Sequence, residues 1–301
     1  MKLTVFTPTY NRGYTIENAY QSLCRQTCKD FEWLVVDDGS TDDTKELFEK
    51  WMNQENGFPI RYYQTPNGGK MRAVNKGAQL AEGELFLNLD SDDYLTDDAI
   101  ETVILWEKTI QNKKEHFAGV AGQRCHFDGM PIGTSFSGEF VDASVTEREK
   151  YNIHGDKVEV FYTELLRKHP FPEFEGEKFI GEGITWMAIC HEEGRILRWF
   201  NKPIIRCEYI EDGYSAHTWQ LAVKNPRGVL YNCKKEIEMT NPSYMEKLKL
   251  WHKYYLVAKY LGYNSKAIRK NLEISAFDSL ILSVGDRIAR LKNSGLECYA
   301  K

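Results

Sequence analysis

Short apolar runs alternate with stretches of helical spacing along the first hundred residues. LTVFTPTY, residues 3–10, is apolar and β-branched and reads as a short buried strand ending near Pro8. Residues 15–27 then carry Ile16, Ala19, Tyr20, Leu23 and Cys24 three or four apart, which predicts a helix. FEWLVVDDGS (31–40) predicts a second strand that stops at two aspartates and a glycine. Ser40 with Asp43 reads as an N-cap signal for a helix over about 42–54. IRYYQT (60–65) is a third strand, PNGGK (66–70) a turn, and a helix follows to about 81. LFLNLD (85–90) is a fourth strand, with a helix from Thr96 to about 112.

This alternation predicts an α/β fold with a mostly parallel central sheet covered by helices on both faces. In such sheets ligands bind outside the carboxyl ends of the strands. Every predicted strand end carries polar residues: Thr9, Asn11 and Arg12; Asp37 and Asp38; Asn67 to Lys70; Asp90 to Asp93. One such cluster is an ordinary turn, but four at one rim point to a site. From 113 to 240 the pattern loosens. FAGVAGQRCHF (117–127) reads as a strand, 131–150 as a mobile loop, and VEVFYTELLRKHPF (158–171) as including a short helix. EGITWMAICHEEG (182–194) reads as a helix ending at Gly194. Strands RWFN and PIIRCEYI and the segment DGYSAH (212–217) follow, and the chain is helical from about 219.

Composition narrows the class. The chain has 301 residues, 42% hydrophobic and 28% charged, the balance of a soluble globular protein. A net charge of −5 gives no reason to expect nucleic acid as a partner. The N-terminal apolar run is too short for a signal peptide, and no stretch reaches the length of a membrane span. Seven cysteines without a C-x-x-C pair read as structural thiols of a reducing cytoplasm. Charge is uneven: residues 244–301 hold 11 Lys/Arg against 5 Asp/Glu, whereas the remainder holds 28 against 39. In this basic tail, residues 246–261 place Leu248, Trp251, Tyr255 and Ala258 near one face, with Lys247, Lys249, Lys253 and Lys259 around it. That face is a candidate for core packing, for a homodimer, or for peripheral contact with an anionic membrane.

LFLNLDSDDYL (85–95) turns sharply from apolar to acidic. Crowded carboxylates repel one another, and a divalent cation offsets that repulsion. Mg²⁺ and Mn²⁺ take oxygen ligands and commonly sit between one or two carboxylates and substrate phosphates. Asp90 and Asp92, flanking Ser91 at a strand end, can bracket such an ion. An EF-hand loop would need Gly where Leu95 stands, and a phosphatase-type D-x-D-x-T would need Thr where Tyr94 stands.

The run TVFTPTYNR, then VVDDGSTDDT, then NGGKMRAVNKGAQLAEGE, then LFLNLDSDD resembles the N-terminal half of the family 2 inverting glycosyltransferases, which have the GT-A type nucleotide-sugar-binding fold. The resemblance covers residues 1–98 with four motifs in order, continues more weakly to about 218, and does not cover the helical tail. It implies a GT-A type domain over 1–218, with a donor-binding half (1–98) and an acceptor half (99–218), and a helical region over 219–301. It implies that Pro8, Thr9 and Tyr10 line the base and ribose pocket, with Asn11 and Arg12 beside them. Asp38, with Asp37 next to it, would meet the uracil edge, and Asn67, Gly68, Gly69 and Lys70 would approach the donor's base and phosphates. Asp90 and Ser91 would face the donor, Asp90 near ribose or metal, and Asp92 would ligate Mn²⁺ or Mg²⁺ directly.

In this family a carboxylate near a later helix start deprotonates the acceptor hydroxyl, commonly as Glu-Asp before an apolar helix containing Trp. Matching FEGEKFIGEGITWMAIC (174–190) through Trp186 puts Glu182 on the base position, with Glu177 as the competitor and a solvated helix-start carboxylate as the alternative for either. DGYSAH resembles the segment that closes over the donor diphosphate, which makes His217 a candidate third metal ligand. The expectation is an inverting, metal-dependent glycosyltransferase moving a sugar from a nucleotide diphosphate donor, a uridine one, to a hydroxyl of a saccharide or lipid-linked acceptor. Its setting would be bacterial surface polysaccharide assembly, in the cytoplasm or at the inner face of the plasma membrane. Two rivals stand beside it: a catalytically inactive sugar-nucleotide-binding module, and a Mg²⁺-dependent nucleotidyl or phosphoryl transferase. The second would want a phosphate loop of the G-x-x-x-x-G-K-[ST] type, which the sequence lacks.

Overall fold

The computed structural model describes residues 1–208 and 218–291. The chain divides into two compact units, residues 1–171 with 185–208, and 172–184 with 209–301.

The first unit is built on one mixed sheet. Its strands are β1 (Leu3–Thr9), β2 (Phe31–Asp37), β3 (Ile60–Gln64), β4 (Leu85–Asn88), β5 (Tyr94–Leu95), β6 (Phe117–Cys125), β7 (Phe140–Ala143), β8 (Lys157–Tyr162) and β9 (Ile196–Arg206). The order is β3-β2-β1-β4-β8-β6-β9-β5, with β7 also paired to β9. The run β3-β2-β1-β4 is parallel, as the alternation of strands and helices requires. Beyond it β8 is antiparallel to both β4 and β6, and β6 is parallel to β9. The sheet is thus parallel where the sequence alternates regularly and mixed where that pattern loosens.

Helices α1 (Ile16–Cys24), α2 (Thr44–Met52), α3 (Lys70–Leu80), α4 (Ala99–Lys108) and α5 (Thr163–Lys168) complete this unit, together with α6 (Gly183–Glu193) from Thr185 onward. Every residue of β1 and β2 is buried, because helices cover both faces. Trp33 packs on Phe48 and Trp51, and Tyr20 stacks on Trp51 with ring centroids 4.4 Å apart. On the other side Phe6 stacks on Phe86 at 5.0 Å, and α3 lies so close that a Cβ on Gly77 would come within 2.2 Å of the Phe6 ring. Removing the Phe6 ring would cost about 3–5 kcal/mol through lost burial and the cavity left behind.

Three local expectations are corrected. Residues 131–150 are not a bare loop: they contain β7 and a 3-10 turn at Arg148–Tyr151. The short helix expected within 158–171 is present at Thr163–Lys168, after VEVFY has completed β8, an interior strand. RWFN and PIIR are joined within one strand, β9, which runs through Pro203 and ends at Arg206, and Tyr209 and Ile210 lie outside the described residues. Ser40 does not cap α2. The N-cap position is Asp43, whose side chain makes no capping bond; Asp42 before it accepts from the Thr44 backbone N–H at 3.2 Å and its hydroxyl at 2.6 Å, while the Ser40 hydroxyl accepts the Asn11 N–H at 2.8 Å.

The second unit is helical: α7 (Thr218–Lys224), α8 (Pro226–Thr240), α9 (Tyr244–Tyr260), α10 (Ser265–Leu272) and α11 (Ala276–Leu291). Its core gathers Leu230, Cys233, Tyr254, Tyr255, Val257, Ala258, Ile268, Leu272, Ile274 and Leu282. The start of α9 is fixed by a capping box, with Glu246 N–H on the Ser243 hydroxyl and Ser243 N–H on the Glu246 carboxylate. Tyr255 and Ala258 are buried in the core and Trp251 packs against it, so this face of α9 is internal and is not a membrane-facing surface. Among the described residues no helix is long and apolar enough to cross a membrane.

Candidate active site

The carboxyl ends of β1, β2 and β4 lie side by side because parallel pairing fixes their register. Thr9 pairs with Asp37 and Phe6 with Asn88, so the polar residues that follow each strand emerge at one rim. The Asp38 N–H donates to the Thr9 carbonyl at 2.8 Å, and the Leu89 N–H to the Phe6 carbonyl at 2.8 Å.

Beyond β1, Asn11 adopts the left-handed conformation (φ 51°). This turn lets its side-chain oxygen accept the Thr41 N–H at 2.8 Å, so the loops after β1 and β2 are tied to each other. Tyr10 is exposed, and Arg12 donates to the Tyr14 hydroxyl. The Thr9 hydroxyl is buried with no hydrogen-bond partner.

Beyond β2 the two aspartates have distinct tasks. Asp37 is fully buried and accepts the Ser40 N–H at 2.7 Å and the Tyr62 hydroxyl. Burial and this carboxylate together push the Tyr62 phenol well up, so it stays a donor. Asp38 holds the glycine turn before α3: it accepts the Gly68 N–H at 2.6 Å, the Gly69 N–H at 2.7 Å and the Asn67 amide at 3.1 Å. Its charge therefore sits at the N-terminal end of α3, where the helix dipole favours it. Glycine is required at 39, which has φ +86°, because a Cβ there would stand 3.0 Å from the Asn67 nitrogen.

The acidic segment closes the rim. The Lys70 ammonium pairs with Asp90 at 2.7 Å, and the Asn88 amide donates to the same oxygen at 3.3 Å. Asp93 is buried, donates its N–H to the Asp90 carbonyl at 3.1 Å, and forms an ion pair with Arg124 of β6. Ser91 is buried, and its carbonyl accepts the Thr15 hydroxyl at 3.2 Å.

Burial works against the charged form of Asp90, but Lys70 and Arg124 outweigh it and hold the carboxyl below its usual range. Asp92 is pushed up, by burial and then by the Asp90 charge beside it. Burial pushes Asp93 up to about 7, with Asp90 and Asp92 adding to the effect and Arg124 opposing it. Three carboxylates in four positions thus carry a local excess of negative charge that the nearby cations only partly offset.

The donor set suits a hard divalent cation: Asp90 and Asp92 offer carboxylate oxygens, and the Asn88 side-chain oxygen is buried without a partner. Among the described residues no three His, Cys, Asp or Glu side chains form a ready metal cage, so an ion here would complete its shell from other oxygens. His217 lies outside the described residues.

Glu182 is half-buried and immediately precedes α6, at the end where a helix dipole favours negative charge. Trp186 packs into the first unit, stacked on Phe161 at 4.7 Å and edge-on to Phe171 at 5.4 Å. Glu177 has a different task. It is buried, and its two oxygens accept the backbone N–H groups of Arg227 at 2.8 Å and Gly228 at 2.9 Å in the first turn of α8. In return the Asn225 side-chain oxygen accepts the N–H groups of Lys178 and Phe179 at 2.8 and 3.0 Å. The two segments cap each other, and the Glu177 carboxylate is committed to structure.

Asn88, Tyr62 and Arg124 join the site without having been singled out from the sequence. Arg124 left a signal there: a charged residue inside the apolar run FAGVAGQRCHF needs a buried partner. Asn88 left the same kind of signal inside LFLNLD.

Residues 4–125 match the family described as Glycosyl transferase family 2. The chain is 28% identical over 302 residues to the GalNAc(5)-diNAcBac-PP-undecaprenol beta-1,3-glucosyltransferase of Campylobacter jejuni, covering 94% of this chain and 89% of that protein. It is 38% identical over 103 residues to the poly(ribitol-phosphate) beta-N-acetylglucosaminyltransferase TarS of Staphylococcus aureus, covering 34% of this chain and 18% of TarS. The solved structure of S. aureus TarS 1-349 in complex with UDP-GlcNAc superposes with a TM-score of 0.61 at 20% identity, over 96% of this chain and 81% of that one. The mannosyltransferase PcManGT of Pyrobaculum calidifontis, in complex with GDP-Man and Mn²⁺, superposes with a TM-score of 0.54 at 19% identity, over 99% and 83%. At these identities the structural matches speak for the fold.

Proposed function

We propose, from the premise that this chain is a glycosyltransferase with a family 2 domain of GT-A fold, that it transfers a sugar with inversion from a uridine diphosphate donor to a hydroxyl of a lipid-linked saccharide. The single observation that carries this reading is the convergence of Thr9, Asp37, Asn67 to Lys70, and Asp90 to Asp92 at one rim. Two polar oxygens buried there, on Thr9 and Asn88, lack partners, as expected of groups that wait for a ligand. The Campylobacter relative, named for an undecaprenol-linked substrate, supports the acceptor class. The TarS complex with UDP-GlcNAc supports the donor class.

Mechanistically, Pro8, Thr9 and Tyr10 receive the base and ribose. Asp37 stiffens the pocket floor through Tyr62, and Asp38 holds the Asn67–Gly69 turn in place. Asn11, Arg12 and Ser91 complete the rim, and Lys70 brings positive charge to the phosphates. Asp90 and Asp92 would hold Mn²⁺ or Mg²⁺, which when bound offsets the charge of the departing diphosphate as a Lewis acid. Glu182 takes the proton from the attacking acceptor hydroxyl, and a single displacement inverts the anomeric centre. The enzyme works in the cytoplasm, assembling a bacterial surface polysaccharide.

The test is a screen of nucleotide sugars with the full chain, with Mn²⁺, with Mg²⁺ and with chelator. Cation-dependent release of UDP from one sugar nucleotide is expected. Binding without release would make the protein an inactive module, and cleavage to a nucleoside monophosphate would make it a phosphoryl or nucleotidyl transferase.

A further inference from the structure

The last described helix of the second unit, α11, is packed on one side only over the side chains described, residues 276–286. Helix α11 buries Leu282 and Asp286, and Ser283 lies 3.3 Å from the Tyr255 hydroxyl of α9. The opposite side is apolar and open: Phe277 is 68% exposed, Leu280 60% and Val284 44%, with Ile281 partly exposed between them. At about 100° per residue these four positions fall within about 100° of arc. They form one stripe, facing away from Leu282 and Asp286.

The stripe has a neighbour. The Tyr244 hydroxyl donates to Asp278 at 2.7 Å, which sets the start of α9 beside the start of α11. Tyr244 and Met245, at that start, are themselves exposed. Single exposed apolar residues are ordinary, but a row of this kind on adjoining helices marks an interaction surface.

Charge indicates the occupant. The region 244–301 holds 11 Lys/Arg against 5 Asp/Glu, in a chain whose net charge is −5. On α10, immediately before the stripe, Lys266, Arg269 and Lys270 are all exposed. The acids of the same stretch are less available: Glu273 is exposed, but Asp278 is held by Ser275 and Tyr244, and Asp286 is buried. A second copy of this chain would bring two such basic regions together, which is unfavourable. An anionic bilayer surface complements both the stripe and the charge.

We propose that the open face of α11, Phe277, Leu280, Ile281 and Val284, docks on an anionic lipid surface, with the basic residues of α10 against the headgroups. The helix lies on the surface and does not cross it. This gives the lipid-linked-acceptor reading a physical means of finding its substrate and rests on that reading only for its purpose. The test uses neither donor nor acceptor, so its failure leaves sugar transfer untouched.

The experiment is co-sedimentation of the full chain with phosphatidylcholine vesicles, with and without added phosphatidylglycerol. Binding is expected only to the anionic vesicles and should weaken as salt rises. Phe277→Gln with Leu280→Gln should lower it about tenfold or more, since both side chains lose their apolar burial. Lys266→Glu with Arg269→Glu should abolish the preference for anionic lipid. All four positions are exposed, so thermal melting should be unchanged. Equal binding to both vesicle types, or undiminished binding by the glutamine variant, overturns the proposal. So does a concentration-dependent dimer, seen by analytical ultracentrifugation, that the glutamine variant abolishes, because the stripe is then a contact between copies.

Discussion

Two acidic groupings in this protein, one buried and one half-buried, are built on opposite terms. In the helical unit, Glu177 is enclosed and both of its oxygens meet backbone N–H groups of α8, with Asn225 completing the exchange. At the rim, Asp90, Asp92 and Asp93 crowd one turn, and burial together with the Asp90 charge raises the cost of ionising the other two. The first arrangement is complete within the chain. The second carries excess charge next to the unpartnered Thr9 and Asn88 oxygens. A buried carboxylate by itself therefore says little; what distinguishes a structural one from a functional one is whether the chain has already answered it.

That contrast breaks first if Asp92 proves to be ordinary. Asp92→Ala should abolish transfer and remove the cation dependence of UDP binding, while stability holds or rises because a repulsion with Asp90 is relieved. Calorimetry with UDP, with and without Mn²⁺, measures the binding, and a melt measures the stability. A variant that still binds UDP in a Mn²⁺-dependent way would reduce the acidic segment to a turn. Next in size is Glu182→Gln. Gln keeps the shape but cannot take a proton, so transfer should fall by about 10²–10⁴-fold with donor affinity unchanged. Near wild-type turnover would place the base elsewhere.

The rim was legible before the fold was known because it rests on local patterns. The strand ends at Thr9, Asp37 and Asp90 stand where apolar runs stop, and parallel pairing then has to bring them together. What could not be read depends on distant partners. Nothing local says that Asp38 would reach thirty residues on to the Gly68 and Gly69 N–H groups, or that Glu177 would cap a helix fifty residues away. VEVFY became a strand because β4 and β6 offered it two edges, a tertiary fact that short apolar runs cannot encode. The apolar face of α9 was visible as a stripe, but whether a stripe meets core or solvent depends on what packs there. On α9 it met core, and on α11 it did not.

Arg124 sharpens the comparison from the rim side. It pairs with Asp93 and also lowers the cost of charge on Asp90. Removing it leaves three carboxylates with less to oppose them, so Arg124→Gln should cost about 3–5 kcal/mol. Asp93→Asn should cost less, because Arg124 retains Asp90 as a neighbouring anion while one repulsive charge disappears. Chemical denaturation of the two variants gives the order. A larger loss for Asp93→Asn would mean the segment is not oversupplied with negative charge.

The smallest effect is expected at Glu177, and it separates the two groupings most cleanly. Glu177→Gln keeps one carbonyl oxygen, which can still accept from Arg227 or Gly228, but the new amide N–H₂ faces the other N–H. One donor in the first turn of α8 is then left unanswered, and the helix loses a negative charge at its N-terminal end. A buried unsatisfied donor costs about 1–3 kcal/mol. The melting temperature should drop accordingly, while turnover per folded molecule and cation-dependent UDP binding stay at wild-type values. Glu177→Asp, one methylene shorter, keeps the charge but draws it back from the same N–H groups, so it should fall between wild type and Gln in stability. Should Glu177→Gln instead abolish turnover with an unchanged melt, the buried carboxylate would be the acceptor's base and the distinction drawn from its capping geometry would not hold.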